Sequence, residues 1–190
     1  MRKLVITENI TLDGVIEATD GWFGPSGPDD SGDLQEAMQR QMAAEGALLL
    51  GRQTFEDFQS YWPKQTDDTT GVTAHLNGVA KYVVSNSLTE PEWENTEILR
   101  GDLTDEVQAL KEQPGQEIGV TGSITLAHAL IAAGLVDEYR LFLYPVVVGR
   151  GRRLFKDGVK LSALELVEVE TYRSGVVLLT YRSKRFEEDS

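Results

Sequence analysis

Three short stretches carry residues able to hold an anion. LLLGRQTFEDF (48–58) runs three leucines into Gly51, Arg52 and, two residues on, Thr54. KYVVSNSL (81–88) brings another apolar run to Ser85, Asn86 and Ser87. IGVTGSIT (118–125) leads from Val120 into Thr121, Gly122, Ser123, Ile124 and Thr125. The first N–H groups of a helix have no partner within it and point at any anion placed there. Glycine lets a phosphate approach the backbone closely because it lacks a Cβ. Arg52 adds a charged, bidentate contact. Taken singly, each stretch also reads as a strand turning into a capped helix. Taken together, at the carboxyl ends of parallel strands, they describe a dinucleotide site, since ligands of open α/β sheets bind beyond that edge.

The rest of the composition narrows the chemistry. The chain has 190 residues, no cysteine and two histidines, His75 and His128, far apart in sequence. Disulfide and thiolate chemistry are excluded, and no metal site is expected. A net charge of −13 argues against nucleic acid, whose affinity rests on Lys and Arg neutralising phosphates. An anionic ligand must therefore be held locally, by backbone N–H groups and one or two arginines. No apolar run is long enough to cross a membrane, and the N-terminus MRKLVITENITL alternates like a strand. A cytoplasmic protein is expected.

These residues need a scaffold of alternating strands and helices. Strands are predicted at 3–12, 47–50, 81–85, 117–121 and 137–148. Helices are predicted from Asp33, with Glu36 closing a capping box, from Arg52 to Tyr61, from a Thr104 cap, and from Ser123 to a stop at Gly134. The apolar face of the first helix is Leu34, Ala37, Met38 and Met42. The segment EATDGWFGPSGPDDSGD (17–33) is long enough to suggest a functional loop, with Trp22 as a cover for a substrate pocket. ALELVEVETY and VVLLTYR read as an antiparallel hairpin turning at Ser174 and Gly175, with a β-bulge where the apolar phase switches between Leu166 and Val167. The predicted fold is α/β: a mixed, mostly parallel sheet flanked by helices, with a C-terminal antiparallel hairpin, forming one domain over residues 1–190. VVLL (176–179) is apolar on both faces, which an exposed edge strand would not tolerate, so a homodimer through the C-terminal strands is expected. Gly149 and Gly151 in VVVGRGRRLF do not make a Rossmann fingerprint, because Lys156-Asp157-Gly158 follows where a helix is required. They suit a crossing loop with solvated flanking arginines.

The ordered set TLDG, LLLGRQTFEDF, KYVVSNSL, GVTGSITLAHALIAAGLVDEY and YPVVVGRGRRLF resembles the dihydrofolate-reductase-like superfamily. The resemblance is nearest to the reductase domain of the riboflavin-biosynthesis deaminase–reductase and its stand-alone relatives, and runs from about Lys3 to Arg182. It implies NADPH, with NADH possible, across the sheet edge. Gly51, Arg52 and Thr54 correspond to a phosphate turn, and Ser85 and Asn86 to the holder of the adenosine 2′-phosphate. Gly122 and Ser123 correspond to the pyrophosphate turn, flanked by Thr121, Ile124 and Thr125. Asn86 stands where an arginine is usual, and Thr121 where the riboflavin reductases carry a substrate-binding glutamate. Asp13 of TLDG is implied beside the nicotinamide, as a substrate or proton-relay contact; an Asp-Gly turn explains it equally well. Asp33 falls near the acidic residue of dihydrofolate reductases, although helix capping accounts for it too.

The expected function is an NAD(P)H-dependent reductase of a pterin, pyrimidine or other heterocycle, resembling 5-amino-6-(5-phosphoribosylamino)uracil reductase. The alternative is a non-catalytic dinucleotide-binding or interaction protein on the same fold.

Overall fold

The computed structural model describes residues 1–19, 21–23, 32–161 and 163–184. In chain order the elements are β1 (Leu4–Thr11), α1 (Asp33–Ala44), β2 (Glu45–Gly51), α2 (Arg52–Tyr61), α3 (Val72–Gly78), β3 (Ala80–Val84), β4 (Thr96–Leu99), α4 (Leu103–Glu112), β5 (Glu117–Val120), α5 (Ile124–Ala132), β6 (Glu138–Tyr144), β7 (Leu164–Thr171) and β8 (Val177–Ser183). Eight strands make one sheet in the order β4-β3-β2-β5-β1-β6-β8-β7. The pairings from β4 to β6 are parallel, and β8 and β7 close the far side as an antiparallel hairpin.

Strand alternation divides the core between two faces. Leu49 and Leu141 pack with α4 and α5 in one cluster. Their neighbours Leu48 and Leu50 meet Phe55 of α2 and Leu76 of α3, and Phe142 meets Leu34 and Ala37 of α1. The crossover from β1 through α1 to β2 runs one way along the sheet, and that from β5 through α5 to β6 runs the other way on the opposite face. The strand order therefore reverses between β5 and β1, the position where such sheets bind ligands.

Three element ends and one strand position differ from expectation. Asp33 does not cap α1. Gly32 takes the cap position at φ 77°, while the Asp33 carboxylate accepts from the N–H groups of Leu34 and Arg173, fastening the helix to the β7–β8 turn. Asp102, and not Thr104, caps α4: its Oδ1 accepts from Thr104 N at 2.8 Å and Asp105 N at 3.3 Å. β6 stops at Tyr144 because Pro145 has no N–H for the ladder, and the chain turns so that Leu12 N donates to Val146 O. VVLL is not an edge. β8 lies between β6 and β7, with Val176 and Leu178 buried in the chain's own core. The outer strand is β7, which exposes Leu166, Val167 and Val169. The bulge lies where the phase switch puts it: Leu166 faces Tyr181 and Glu168 faces Thr180, leaving Val167 as the extra residue.

Helix α3 and strand β4 are not apparent in the sequence. α3 is held at its C-terminus by Lys81, whose Nζ donates to the carbonyls of Leu76 and Val79 and lies over the Trp93 ring. That contact fixes the helix carrying His75.

Candidate active site

Two of the three anion-type turns are cross-linked. Gly51 N donates to Ser123 Oγ at 3.0 Å, and Thr54 Oγ1 donates to Gly122 O at 3.2 Å. The Ser123 hydroxyl is thus a brace between turns and does not cap α5. Neither α2 nor α5 has a side-chain cap, so the next N–H groups of both helices open on the same sheet edge. Gly122 adopts φ +62°, a left-handed conformation that favours glycine. Ile124 is buried in the core and offers only its backbone, whereas Thr125 is exposed. Arg52 opens α2 with its guanidinium on Glu56, Nη1 lying 3.0 and 2.8 Å from the two carboxylate oxygens. Both side chains are about half exposed.

The third turn is shaped by Ser85, whose Oγ accepts from Ser87 N and Leu88 N, while Asn86 is exposed. An arginine does reach this turn, from the end of β4: Arg100 Nη2 donates to Leu88 O at 2.5 Å and Nη1 to Ser85 O at 3.4 Å. No sequence signal pointed to Arg100, because the short strand before it was not recognised.

Where the strand order reverses, β1 and β5 part. Their register ends at Ile6↔Val120, while β1 continues beside β6 to Thr11↔Tyr144. Glu8 occupies the split. Its Oε1 accepts from Gly122 N at 2.8 Å, so this N–H is not free for a phosphate. Glu8 is 5% exposed, and burial pushes its carboxyl up to about 8, with the Gly122 hydrogen bond only partly opposing the rise. It lines a cavity of about 300 Å³. Met38, Met42, Phe58 and Trp62 give the cavity apolar walls, and Thr121 and Gln41 give it polar ones. His75 also lines it, paired through Nε2 with Glu45 at 2.9 Å. A signal for Glu8 exists in the sequence: Leu4, Ile6 and Ile10 keep one buried phase along β1, and Glu8 breaks it.

Asp13 stands on the same edge, but its carboxylate faces a loop. Oδ1 accepts from Thr11 Oγ1 and Val148 N, and Oδ2 from Gly149 N. The Thr11 hydroxyl and these backbone donors hold its pKa below the ordinary carboxylate value, so Asp13 is an anion at neutral pH and has no proton to give. Arg152 and Arg153 are not simply solvated: Arg152 pairs with Glu17 at 2.7 Å, and Arg153 Nε donates to Asp13 O. Trp22 packs edge-on against Phe23 and Tyr144 and donates to Glu17 O, beside the end of β6 and off the cavity wall. The part of its loop at residues 24–31 lies outside the described residues.

This sheet, with its reversal point and paired turns, is that of a dihydrofolate-reductase-like protein. The chain belongs to the family of the RibD C-terminal domain, a reductase-like family, which it matches over residues 2–178. It is 33% identical to the uncharacterized protein YyaP of Bacillus subtilis (strain 168), over 95% of this chain and 94% of that protein. Identity to YwjB of the same organism is 24%, over 93% and 96%. Among solved structures, a putative riboflavin biosynthesis protein from Shewanella sp. PV-4 superposes with a TM-score of 0.71 at 21% identity, covering 96% of this chain and 99% of that one. The Thermotoga maritima diaminohydroxyphosphoribosylaminopyrimidine deaminase/5-amino-6-(5-phosphoribosylamino)uracil reductase gives 0.65 at 16% identity, covering 96% and 57%. Those two likenesses are of fold. Among the described residues no helix is long and apolar enough to cross a membrane.

Proposed function

We propose that this protein is a nicotinamide-dinucleotide-dependent reductase of small heterocyclic compounds such as pterins or pyrimidines. The observation that carries the proposal is the junction at the β5–β1 reversal. Two uncapped helix starts, braced to each other through Ser123 and Thr54, adjoin a cavity with aromatic and thioether walls. The donor set suits a dinucleotide. The free N–H groups of α2 and α5 would take its phosphates, Arg52 would add a charged contact after leaving Glu56, and Arg100 would serve a 2′-phosphate at the Ser85–Leu88 turn. The bound dihydronicotinamide would supply a hydride, and the chain's own side chains would orient the acceptor and manage its proton. The aromatic and thioether cavity walls suit an aromatic ring, and Thr121, Gln41 and the Glu45–His75 pair supply polar contacts for ring heteroatoms.

Association of two copies through the outer strand β7 belongs to the same proposal, since Leu166, Val167 and Val169 leave apolar surface on an edge. The test is calorimetric titration with NADPH and NADH, followed by dinucleotide oxidation in the presence of a panel of pterins and pyrimidines. Binding of a dinucleotide and turnover of at least one heterocycle are expected. Absence of dinucleotide binding overturns the proposal.

A further inference from the structure

We propose that Glu8 is the acid of this site, a neutral carboxylic acid that hands its proton to the heteroatom next to the carbon being reduced. The inference deepens the reductase proposal and rests on it.

Position is the first argument. Glu8 lies in the gap opened where β5 ends at Val120 and β1 runs on, at the reversal of strand order where α/β sheets receive ligands. It touches both halves of the candidate site at once, through its bond to Gly122 on the phosphate side and its place in the cavity wall on the other.

Chemistry is the second. A buried carboxylate without a cation is costly, and among the described residues no cation is paired with Glu8. On the surrounding elements, Glu45 of β2 is paired with His75 of α3, Arg140 of β6 is held by Glu117 and Glu138, and α5 has no acidic residue in its first turn. Lys3 is taken by Glu138 and Lys111 by Asp137. On α1, Arg40 is bound to Glu170, and Asp33 is tied to the β7–β8 turn. Burial therefore outweighs the Gly122 hydrogen bond, and it favours the protonated form. With Oε1 accepting from Gly122 N–H, the proton belongs on Oε2. Asp13, the other acid on this edge, is an anion held by three donors and cannot serve.

The step balances simply. As a hydride adds to the carbon of a C=N bond, the π pair moves onto nitrogen. The Glu8 O–H bond breaks to place its proton there. The carboxylate left behind regains a proton from water. The two electrons come from the dihydronicotinamide, which is oxidised.

The test uses the full chain and Glu8→Gln, which keeps the shape and the bond from Gly122 but has no transferable proton. Infrared spectroscopy of the wild type at pH 7 is expected to show a carboxylic-acid band that is missing from Glu8→Gln and fades as the pH passes about 8. NADPH affinity measured by calorimetry is expected to stay within a few-fold. Turnover of a reducible heterocycle is expected to fall on the order of 10²–10⁴-fold, the range for a lost general acid, and the alkaline decline of the wild-type rate is expected to vanish. Absence of the acid band at pH 7 overturns the assignment even if no substrate is found. Wild-type turnover in the variant overturns it too. Failure of the wild type to bind any dinucleotide sinks the reductase proposal instead, a result the infrared measurement does not share.

Discussion

Thr54 of the second helix donates its hydroxyl proton to the carbonyl of Gly122, 3.2 Å away on a different strand connection. With the Gly51–Ser123 bond, this holds two helix starts at fixed separation. Thr54→Val is expected to cost about 1 kcal/mol. Ser123→Ala is expected to cost about 1–3 kcal/mol, because it leaves the Gly51 N–H without an acceptor. Denaturant unfolding measures both, and NADPH affinity should fall in each. Gly122→Val forces a branched side chain into φ +62° with Thr54 Cγ2 at 3.6 Å from its Cβ, and dinucleotide binding should be lost. Unaltered affinity in all three variants would place the phosphates elsewhere.

The Glu56 carboxylate holds the Arg52 guanidinium through Nη1 and so competes with an anionic ligand for its charge. An exposed pair of this kind is worth no more than about 1 kcal/mol, so the exchange is inexpensive. Glu56→Gln should therefore strengthen NADPH binding a few-fold, while Arg52→Ala should weaken it by about 1.5–3 kcal/mol, the scale of a charged hydrogen bond. Calorimetry on the two variants gives opposite signs if the assignment holds.

Arg100 bears on the choice between NADPH and NADH. Asn86 occupies the position that the sequence resemblance assigns to a cation, and Arg100 comes to the same turn from β4. Arg100→Gln should reduce NADPH affinity by roughly tenfold, equivalent to about 1.4 kcal/mol, and leave NADH almost untouched. Equal losses for both dinucleotides would make Arg100 a structural clip for Ser85 and Leu88.

Stability should carry the signature of Glu8. Its carboxyl is raised from 4.5 to about 8 by burial, so between those pH values the folded chain keeps a proton that the unfolded chain releases. Stability attributable to this group is full below about 4.5, declines as pH rises, and levels off above about 8. At about 1.4 kcal/mol per unit, the loss is on the order of several kcal/mol. Glu8→Gln should lack this contribution and outlast the wild type at pH 9. Parallel melting-temperature profiles from pH 5 to about 9 would contradict it.

β7 provides the association test. Leu166→Lys and Val169→Lys place charge on the exposed strand without touching the core, and both should shift sedimentation toward the monomer. A wild-type monomer at micromolar concentration would remove the homodimer from the proposal.

Much of the scaffold was legible because pattern and position agree there. Arg52–Tyr61 keeps its predicted bounds since Gly51 leaves the strand just as the helical period begins, and the Val167 bulge was visible as a change of phase. The errors have local causes: Asp102 outcompeted Thr104 for the α4 cap, and Pro145 shortened β6. The short β4, in which only Leu99 is buried, gave too weak a period to notice, and Arg100 was missed with it. Glu8 was visible as a charged residue in an apolar phase, but its meaning depends on Gly122, which only the folded sheet brings to it.

The place of β1 has a consequence for biosynthesis. The earliest-synthesised strand of the sheet has its neighbours at Ile118–Val120 and Glu138–Tyr144, so it stays unpaired until residue 120 exists and lacks its second neighbour until residue 144 does. Such long-range closure is slow, and the apolar LVITENIT segment is exposed to aggregation or chaperone capture in the meantime. Nascent chains arrested before β6 should be recovered bound to chaperones or degraded, whereas chains arrested just beyond β8 should resist protease.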